Sequence, residues 1–434
     1  MSAATMFSRL PEIEAHVRQL IDEQRYDDAL ANVVVGVHNH YKSPGIEQKF
    51  LYYPELDLQL ARMSAALEAQ NPPSKSTLPP GNNTLVIATE LYVLGGHSKV
   101  VQDILAEVES PTLVLTDVFG NYRREPAHLL RLFELFQDVN FIVLPQPTLW
   151  GRSRALLKLT QRLNPQAILY VQHHQDPIPF VGTLRHLGSR KSLVHHCDTN
   201  PSLGCTLPGV THVDLTDELA AMCGGNLGTQ PPTLPLFVPD SGCKTFPPVE
   251  GRKFSVVTAG THIKYLRSGE LALANIASTV LQSIDGDFIH IGPMDEAWQN
   301  EIRTRIQEQG MDPTRFKPQG PVASLWDTLL KLDAHVYLGS APIAGGRGAV
   351  EAQGCGYPVV FHRVADPTLP THVDSIYADK TLCWTSLDEL SAVLSVMGPR
   401  LADLSALTRR YFEQHYSRAE FRRKLGQLSQ LTER

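Results

Sequence analysis

Histidines cluster at two places in this sequence, each directly after a short apolar run. The two strings are Val171-Gln-His-His-Gln-Asp176 and Val194-His-His-Cys-Asp-Thr-Asn200, in a chain with 17 histidines. Residues that follow a parallel strand point into the crevice at the carboxyl edge of the sheet. The side chains placed there for general acid–base chemistry are His173, His174, Asp176, His195, His196 and Asp198.

A transfer reaction that proceeds by inversion needs a base to take the proton of the attacking hydroxyl. An imidazole that titrates near neutrality beside a carboxylate suits this role. We therefore name His195, His196 and Asp198 as the catalytic candidates. A purely structural role for these histidines stays open as an alternative.

Metal binding is the third interpretation, because His, Cys and Asp are all metal ligands. Adjacent histidines in an extended segment point to opposite sides of the chain. The sequence also lacks any HxxxH or CxxC spacing that would support a chelate. We therefore expect no metal site and no metal cofactor.

A glycine-rich segment between Ala341 and Val360 could bind phosphate. A strand is predicted to end near Leu338 and a helix to begin at about Ala349, so free amides and the positive end of the helix dipole can hold a diphosphate. Within this segment, Glu351 could accept hydrogen bonds from ribose hydroxyls. A glycine-rich connection without a ligand stays open. The phosphate-binding candidates are Gly345, Gly346, Arg347 and Gly348.

This segment resembles the donor-binding domain of GT-B glycosyltransferases, in the glycosyltransferase 4/1 superfamily. Many retaining members carry two glutamates eight positions apart; Glu351 matches the second, while Ile343 occupies the place of the first, which leaves retention or inversion open. The matching strings are Gly345-Gly-Arg-Gly-Ala-Val-Glu351, Gly354-Cys-Gly-Tyr-Pro-Val-Val360, His290-Ile-Gly292, Phe316-Lys-Pro-Gln-Gly-Pro321 and, as a closing helix, Arg409-Arg-Tyr-Phe-Glu-Gln-His-Tyr-Ser417.

The resemblance also assigns roles to two further loops. In the loop that holds Gly260, Lys264 would neutralise the donor phosphates, with Arg267 behind it; the alternative is a solvated loop charge. The Gly95-Gly96 pair resembles the glycine loop of the N-terminal domain, where a double glycine lets donor or acceptor approach the backbone. His97 and Lys99 would then face the cleft.

These residues must be positioned by alternating strands and helices. Short β-branched runs are predicted to form strands over 85–88, 112–116, 141–144, 167–171, 254–257, 288–291, 334–338 and 359–361. Helical patterns lie between them, which is typical of a parallel sheet with crossover helices. The predicted fold class is α/β, with the GT-B arrangement of two Rossmann-like domains facing a cleft.

The 434 residues divide at two proline-rich breaks. The first is the Pro/Ser linker over 71–80, and the second spans 224–251, which we expect to be an interdomain connection. We predict four segments: a helical N-terminal domain (1–75), a Rossmann-like acceptor domain (81–230), a Rossmann-like donor domain (245–400) and closing helices (401–434).

Composition narrows the functional classes. The formal charge of −6 argues against a dedicated nucleic-acid binder, and 42% hydrophobic with 19% charged residues indicates a globular chain. The sequence shows neither a signal peptide nor an apolar run long enough to span a bilayer, so we expect a cytoplasmic protein without a membrane span. Most of the six cysteines are expected to be reduced and buried.

The resemblance implies a metal-independent, hexosyltransferase-like enzyme that transfers a sugar from a nucleotide-sugar, with a UDP-sugar favoured. The acceptor is a glycan or a polypeptide, and the N-terminal helices could dock a partner protein. Two alternatives stay open. One is a nucleotide-sugar 2-epimerase of the same fold, and the other is a noncatalytic scaffold with a GT-B body.

Overall fold

The computed structural model describes residues 10–42, 52–72, 81–92, 96–196, 201–364 and 374–430. The chain divides into two compact units, which are described here one at a time. The N-terminal unit comprises Met1–Leu234 together with Arg422–Arg434, and the C-terminal unit comprises Pro235–Phe421.

Three amphipathic helices open the described chain: α1 (Leu10–Asp22), α2 (Tyr26–Lys42) and α3 (Pro54–Gln70). Their apolar stripes are buried, and they share one hydrophobic core with the sheet of the N-terminal unit. Asp57 of α3 is fully buried and accepts hydrogen bonds from the amides of Gly204 (2.6 Å) and Thr206 (2.9 Å). The predicted helical N-terminal region is therefore present and is tied to the rest of its unit.

A parallel six-stranded sheet forms the centre of the N-terminal unit. Its strands, read across the sheet, have the order β3-β2-β1-β4-β5-β6. They are β1 (Gly81–Ala88), β2 (Pro111–Leu115), β3 (Asn140–Val143), β4 (Pro165–Tyr170), β5 (Arg190–His195) and β6 (Thr211–Asp214).

Helices connect these strands and cover the sheet. Because the central strands are covered on both faces, they are continuous apolar runs, as in Leu85–Ala88. The helices are α4 (Gly96–Leu105), α5 (Asn121–Arg124), α6 (Pro126–Leu135), α7 (Leu149–Leu163), α8 (Ile178–Thr183) and α9 (Asp217–Leu227).

The C-terminal unit has a second parallel six-stranded sheet, with the order β12-β11-β10-β7-β8-β9. Its strands are β7 (Val256–Ala259), β8 (Phe288–Ile291), β9 (Phe316–Gly320), β10 (Val336–Leu338), β11 (Val359–His362) and β12 (Cys383–Trp384). Its helices are α10 (Leu273–Ser283), α11 (Glu296–Glu308), α12 (Leu325–Lys331), α13 (Gly346–Gly354), α14 (Leu387–Ser395) and α15 (Leu401–His415). The last helix, α16 (Arg418–Gln430), begins in this unit and belongs to the N-terminal unit from Arg422 onward.

Both sheets have the same topology. Renumbered within its own unit, the second sheet has the order 3-2-1-4-5-6 of the first, which is the Rossmann order. In each sheet the strand order reverses at the centre, between β1 and β4 and between β7 and β10. Ligands of such sheets bind at the carboxyl ends of the strands beside this reversal.

Two boundaries differ from the sequence analysis. The break predicted over 224–251 begins too early, because α9 continues to Leu227 and ends at Gly228, whose φ of +74° suits glycine. The helix predicted from Ala349 begins three residues earlier, at Gly346, so that the glycines form its first turn.

Within the described ranges, no single helix is both long and apolar enough to cross a membrane. The bent pair Leu387–Ser395 and Gly398–Leu428 meets the same test by length and composition alone.

Candidate active site

Three histidines meet at the carboxyl edge of the first sheet, and we call His97, His173 and His196 the histidine group. His97 is the second residue of α4, His173 follows β4 and His196 follows β5. The rings of His97 and His196 stack with centroids 4.1 Å apart and an interplanar angle of 18°. The ring of His173 lies edge-on to His97 at 4.8 Å. The structure thus brings together three of the predicted site residues beside the reversal of strand order.

Backbone carbonyls fix the tautomers of two of these rings. His97 Nε2 lies 2.6 Å from the carbonyl oxygen of Val171, and His196 Nε2 lies 2.9 Å from that of Gln172. A carbonyl only accepts, so in both rings Nε2 carries the proton and Nδ1 is unprotonated. Among the described residues, the buried Nδ1 atoms of His97 and His173 have no hydrogen-bond partner.

The histidine group is neutral at physiological pH. Burial lowers the pKa of His97 to about 4, and burial together with the neighbouring histidines lowers the pKa of His173 to about 3. Burial, followed by the proximity of His97 and His173, also lowers the pKa of His196 well below its usual value. A neutral imidazole with an open Nδ1 can accept a proton or a hydrogen bond from a hydroxyl.

A carboxylate and two aromatic rings surround this edge. Glu90, two residues beyond β1, is buried and accepts hydrogen bonds from Asn121 Nδ2 (2.7 Å) and from the hydroxyl of Tyr92. The rings of Tyr92 and Phe119 lie edge-on to His173, at 6.3 and 5.9 Å. Sequence reasoning missed Glu90, although it follows an apolar run just as the histidines do.

The other candidates from the two histidine strings are placed differently. His195 is buried on the opposite side of β5 from His196 and contacts Asp214 and His212. His174 is buried beside the histidine group. Asp176 is fully buried and accepts hydrogen bonds from the hydroxyls of Thr89 and Thr116, while burial raises its pKa to about 6.

The remaining candidates of the N-terminal unit are in its glycine loop and in the second histidine string. Gly96 is the exposed first residue of α4, and Lys99 is exposed on the same helix. Gly95 and Asp198 lie outside the described residues.

In the C-terminal unit, Lys264 lies against the glycine turn. It ends the short 3₁₀ helix His262–Lys264 that follows β7 and Gly260, and its side chain is half-buried. A Cβ atom placed on Gly345 would lie 2.8 Å from Lys264 Nζ. The amine therefore lies directly over the residue that precedes α13, at the reversal of strand order in the second sheet.

The first turns of α13 carry an ion pair. Arg347 Nε lies 3.3 Å from Glu351 Oε1, and both side chains are largely buried, with about one-sixth of their surface exposed. Arg347 Nη1 also donates to the carbonyl oxygen of Phe237 at 3.0 Å. Gly348 leaves room for the hydroxyl of Tyr337, 2.8 Å from where its Cβ would be, and Gly346 is the first residue of the helix.

Close backbone packing shapes the same edge of the sheet. Gly292 has a φ of +143°, and a Cβ there would lie 2.1 Å from the carbonyl oxygen of Gly260. Arg267 is exposed and binds Asp295 through two contacts of 3.0 Å, so its guanidinium is part of a surface ion pair. Of the predicted donor residues, the structure thus groups Lys264 with Gly345 and Arg347 with Glu351.

No protein-family model and no curated protein matches this chain. Solved structures do match. A glycosyltransferase from Rickettsia africae ESF-5 has a TM-score of 0.57 at 12% identity, covering 82% of this chain and 100% of that one. Anabaena HepE in complex with UDP also has a TM-score of 0.57 at 12% identity, with 80% and 98% covered.

A third match is the N-terminal domain of Candida albicans trehalose-6-phosphate phosphatase. Its TM-score is 0.54 at 12% identity, and the alignment covers 83% of this chain and 99% of that one. At such low identity these matches concern the fold. Together with the two Rossmann-ordered sheets, they confirm the predicted GT-B fold class.

Proposed function

We propose that this chain, which has the GT-B fold, is a glycosyltransferase that uses a nucleotide-sugar donor. The observation that carries the proposal is the position of the Lys264 amine over Gly345, at the start of α13. A cation beside the first amides of a helix suits the diphosphate of a nucleotide. We favour a uridine nucleotide, in keeping with the matching HepE structures that hold UDP and UDP-glucose.

In this proposal the donor's leaving group is stabilised without a metal. When the bond from the anomeric carbon to the diphosphate breaks, the diphosphate departs with the electron pair and gains negative charge. The ammonium of Lys264 and the amides at the start of α13 are in place before the reaction and stabilise that charge. Glu351, oriented by Arg347, would accept hydrogen bonds from the ribose hydroxyls.

The acceptor half of the reaction falls to the histidine group. The acceptor oxygen would bond the anomeric carbon, and its proton would go to the unprotonated nitrogen of an imidazole. The pKa values of these rings lie below the near-neutral value expected from the sequence, so each is a weak base. His97, His173 and His196 suit this role better than His195, whose Nδ1 lies 3.1 Å from Asp214 Oδ1 in a fully buried setting. The acceptor as a glycan or a polypeptide, and a cytoplasmic location, remain predictions from the sequence.

Calorimetric titration of the full chain with UDP, GDP and CDP tests the proposal. We expect at least one of them to bind, and Lys264→Ala to weaken that binding about tenfold or more, because a charge-assisted phosphate contact contributes roughly 1.5–3 kcal/mol. Lys331→Ala is the matched control, since Lys331 is an exposed lysine at the end of α12 in the same unit. It should bind as the wild type does.

Two results would contradict the proposal. Absence of binding by every nucleotide to a folded protein would exclude a donor site. If the Lys264→Ala variant and the wild type bind the nucleotide with equal affinity, Lys264 does not contact the phosphates. Incubation of the donor without an acceptor then distinguishes transfer from 2-epimerisation, because only an epimerase changes the donor sugar under those conditions.

A further inference from the structure

Four metal-binding side chains meet inside the N-terminal unit, away from the histidine group. They are His195, His212, Asp214 and Cys223, and we call them the His₂AspCys cluster. All four are buried, and one ligand atom of each lies within 4.8 Å of those of the other three. Nothing in the proposed transfer reaction uses them.

The fold assembles this cluster from three elements. In the parallel pairing of β5 and β6, His195 lies opposite Asp214. Side chains two residues apart on a strand share a face, so His212 lies on the same side as Asp214. Thr216 caps α9 by accepting a hydrogen bond from the amide of Leu219, and that helix carries Cys223 onto this face.

The distances within the cluster match those of a tetrahedral metal site. Asp214 Oδ1 lies 3.1 Å from His195 Nδ1, 3.0 Å from His212 Nε2 and 3.7 Å from Cys223 Sγ. A tetrahedral zinc ion with bonds of about 2.0–2.3 Å separates its ligand atoms by about 3.3–3.7 Å. The three distances from Asp214 Oδ1 are thus within a few tenths of an ångström of these values, and the other ligand atoms lie within 4.8 Å of one another.

Hydrogen bonding alone satisfies this cluster poorly. The two imidazoles and the thiol all converge on Asp214 Oδ1. In the part of the chain that the structure describes, the buried Asp214 Oδ2 and His212 Nδ1 have no hydrogen-bond partner. Buried polar atoms without a protein partner are rare and costly, so this cluster has polar atoms to spare for a bound ion or water.

The charges also suit a divalent cation. Asp214 contributes a carboxylate, and the imidazoles of His195 and His212 both lie at its Oδ1. A metal-bound cysteine is a thiolate. One carboxylate and one thiolate balance a charge of +2, and two neutral imidazoles complete the four ligands.

We infer that the His₂AspCys cluster is a structural zinc site that fastens edge strand β6 and α9 to β5. Thiolate and imidazole ligands select zinc over magnesium, calcium or manganese. Four protein ligands leave no open position, which is the mark of a structural site and separates this ion from the sugar transfer. From the histidine strings we expected no metal site, and this inference replaces that expectation for His195. The proposed sugar transfer itself uses no metal.

Metal analysis of the full, untagged chain tests this inference. We expect about one zinc per chain after dialysis against metal-free buffer. After removal of the metal, Co²⁺ should restore one equivalent and give the visible absorption of tetrahedral cobalt with a thiolate-to-cobalt charge-transfer band. These measurements on the wild type do not depend on any variant being stable.

Variants then locate the ion. Cys223→Ser should remove the charge-transfer band and weaken zinc binding at least 100-fold. Cys355→Ser is the matched control, because Cys355 is also a buried free thiol, in the C-terminal unit, where its Sγ contacts the carbonyl oxygen of Trp326. It should keep the full metal content and the band.

Two results would overturn the inference. One is a folded wild type that retains no stoichiometric zinc and takes up no cobalt. The other is a Cys223→Ser variant that, folded by circular dichroism, binds zinc as tightly as the wild type. The nucleotide titration proposed above is independent of both, because its residues lie in the other unit.

Discussion

Gly345 leaves room for the amine of Lys264 at the start of α13. The Cβ of an alanine there would lie 2.8 Å from Nζ, and the next atom, Ser340 Oγ, is at 3.4 Å. The end of a lysine side chain is flexible, so Gly345→Ala should displace the amine without unfolding the helix. We expect UDP to bind about tenfold more weakly, as measured by calorimetry, because the charge-assisted phosphate contact is roughly 1.5–3 kcal/mol.

The control for this substitution is Gly426→Ala on α16, where a Cβ meets nothing within 4 Å. Alanine is the better helix former, so this variant should be as stable as the wild type or slightly more stable, and should bind UDP equally well. Wild-type affinity in Gly345→Ala would show that the amine does not need its present position.

The histidine group makes the free energy of unfolding depend on pH. The pKa of His97 is about 4 in the folded chain and about 6.5 when unfolded, so the unfolded chain binds more protons between these values. Stability is complete above about pH 6.5 and declines as the pH falls towards 4. Between pH 7 and pH 5, the free energy of unfolding should fall by about 1–2 kcal/mol less in His97→Gln than in the wild type.

Urea unfolding at both pH values measures this difference. Glutamine can still donate to the carbonyl of Val171, so the substitution removes the titration and keeps the contact. Gln414→Ala, an exposed position near the end of α15 whose side chain does not titrate, should lose as much stability on acidification as the wild type. If the free energy of unfolding falls equally in His97→Gln and in the wild type between pH 7 and pH 5, the pKa of His97 is not lowered by burial.

At the residue scale, the sequence allowed us to predict site residues that directly follow an apolar strand. His173 and His196 were found in this way, whereas His97 and Lys264 were named through the resemblance of their glycine loops. The His₂AspCys cluster was missed because its ligands are spread over β5, β6 and α9, so that no short spacing connects them. Because side chains alternate along a strand, the sequence predicts that His195 and His196 point to opposite sides. It does not predict which residues each ring contacts, because those contacts depend on tertiary packing.

At the element scale, central strands were more predictable than strands at sheet edges. All eight predicted strands overlap observed ones, and β8 matches residue for residue. Four strands are absent from the prediction: β6, β9 and β12, which lie at sheet edges, and the central strand β5, whose end was noted only as an apolar run before His195. The edge strand β3 was predicted. An edge strand tolerates polar residues and proline, as in Thr211–Asp214 and at Pro318, so its apolar pattern is weak.

This difference has a consequence for the proposed zinc site. Edge strand β6 supplies two of the four ligands, yet it has a neighbour on one side only, β5. On its other side, Asp214 forms an isolated bridge with Thr233. A metal ion that joins β5, β6 and α9 would further stabilise this edge of the sheet.

At the scale of the whole molecule, the two units repeat one topology and are proposed to hold different ligands. In the C-terminal unit, Lys264 lies beside Gly345 at the reversal between β7 and β10, where a nucleotide is proposed to bind. In the N-terminal unit, the His₂AspCys cluster, which includes Cys223 of α9, is proposed to bind a metal ion. Local alternation and right-handed crossovers limit the strand orders that a parallel sheet can have but do not select one, since the order 2-1-3-4-5 obeys the same rules. Which residues meet at the reversal follows once that order is known.

Hydrogen exchange followed by mass spectrometry should therefore show two separate responses. A nucleotide at 100 times its dissociation constant stabilises the state that binds it by about 2.7 kcal/mol, which slows exchange through opening about 100-fold. We expect UDP to protect peptides covering the 3₁₀ helix His262–Lys264 and the start of α13. Removal of zinc by a chelator should speed exchange in β6 and α9.

Each ligand is the control for the other, because the residues proposed to bind UDP belong to the C-terminal unit and those proposed to bind zinc belong to the N-terminal unit. UDP should leave β6 and α9 unchanged, and the chelator should leave α13 unchanged. Lys264→Ala should reduce only the first response, and Cys223→Ser should remove only the second. A chelator that speeds exchange equally in both sheets would contradict a local zinc site, and UDP protection confined to the N-terminal unit would contradict a donor site at Lys264.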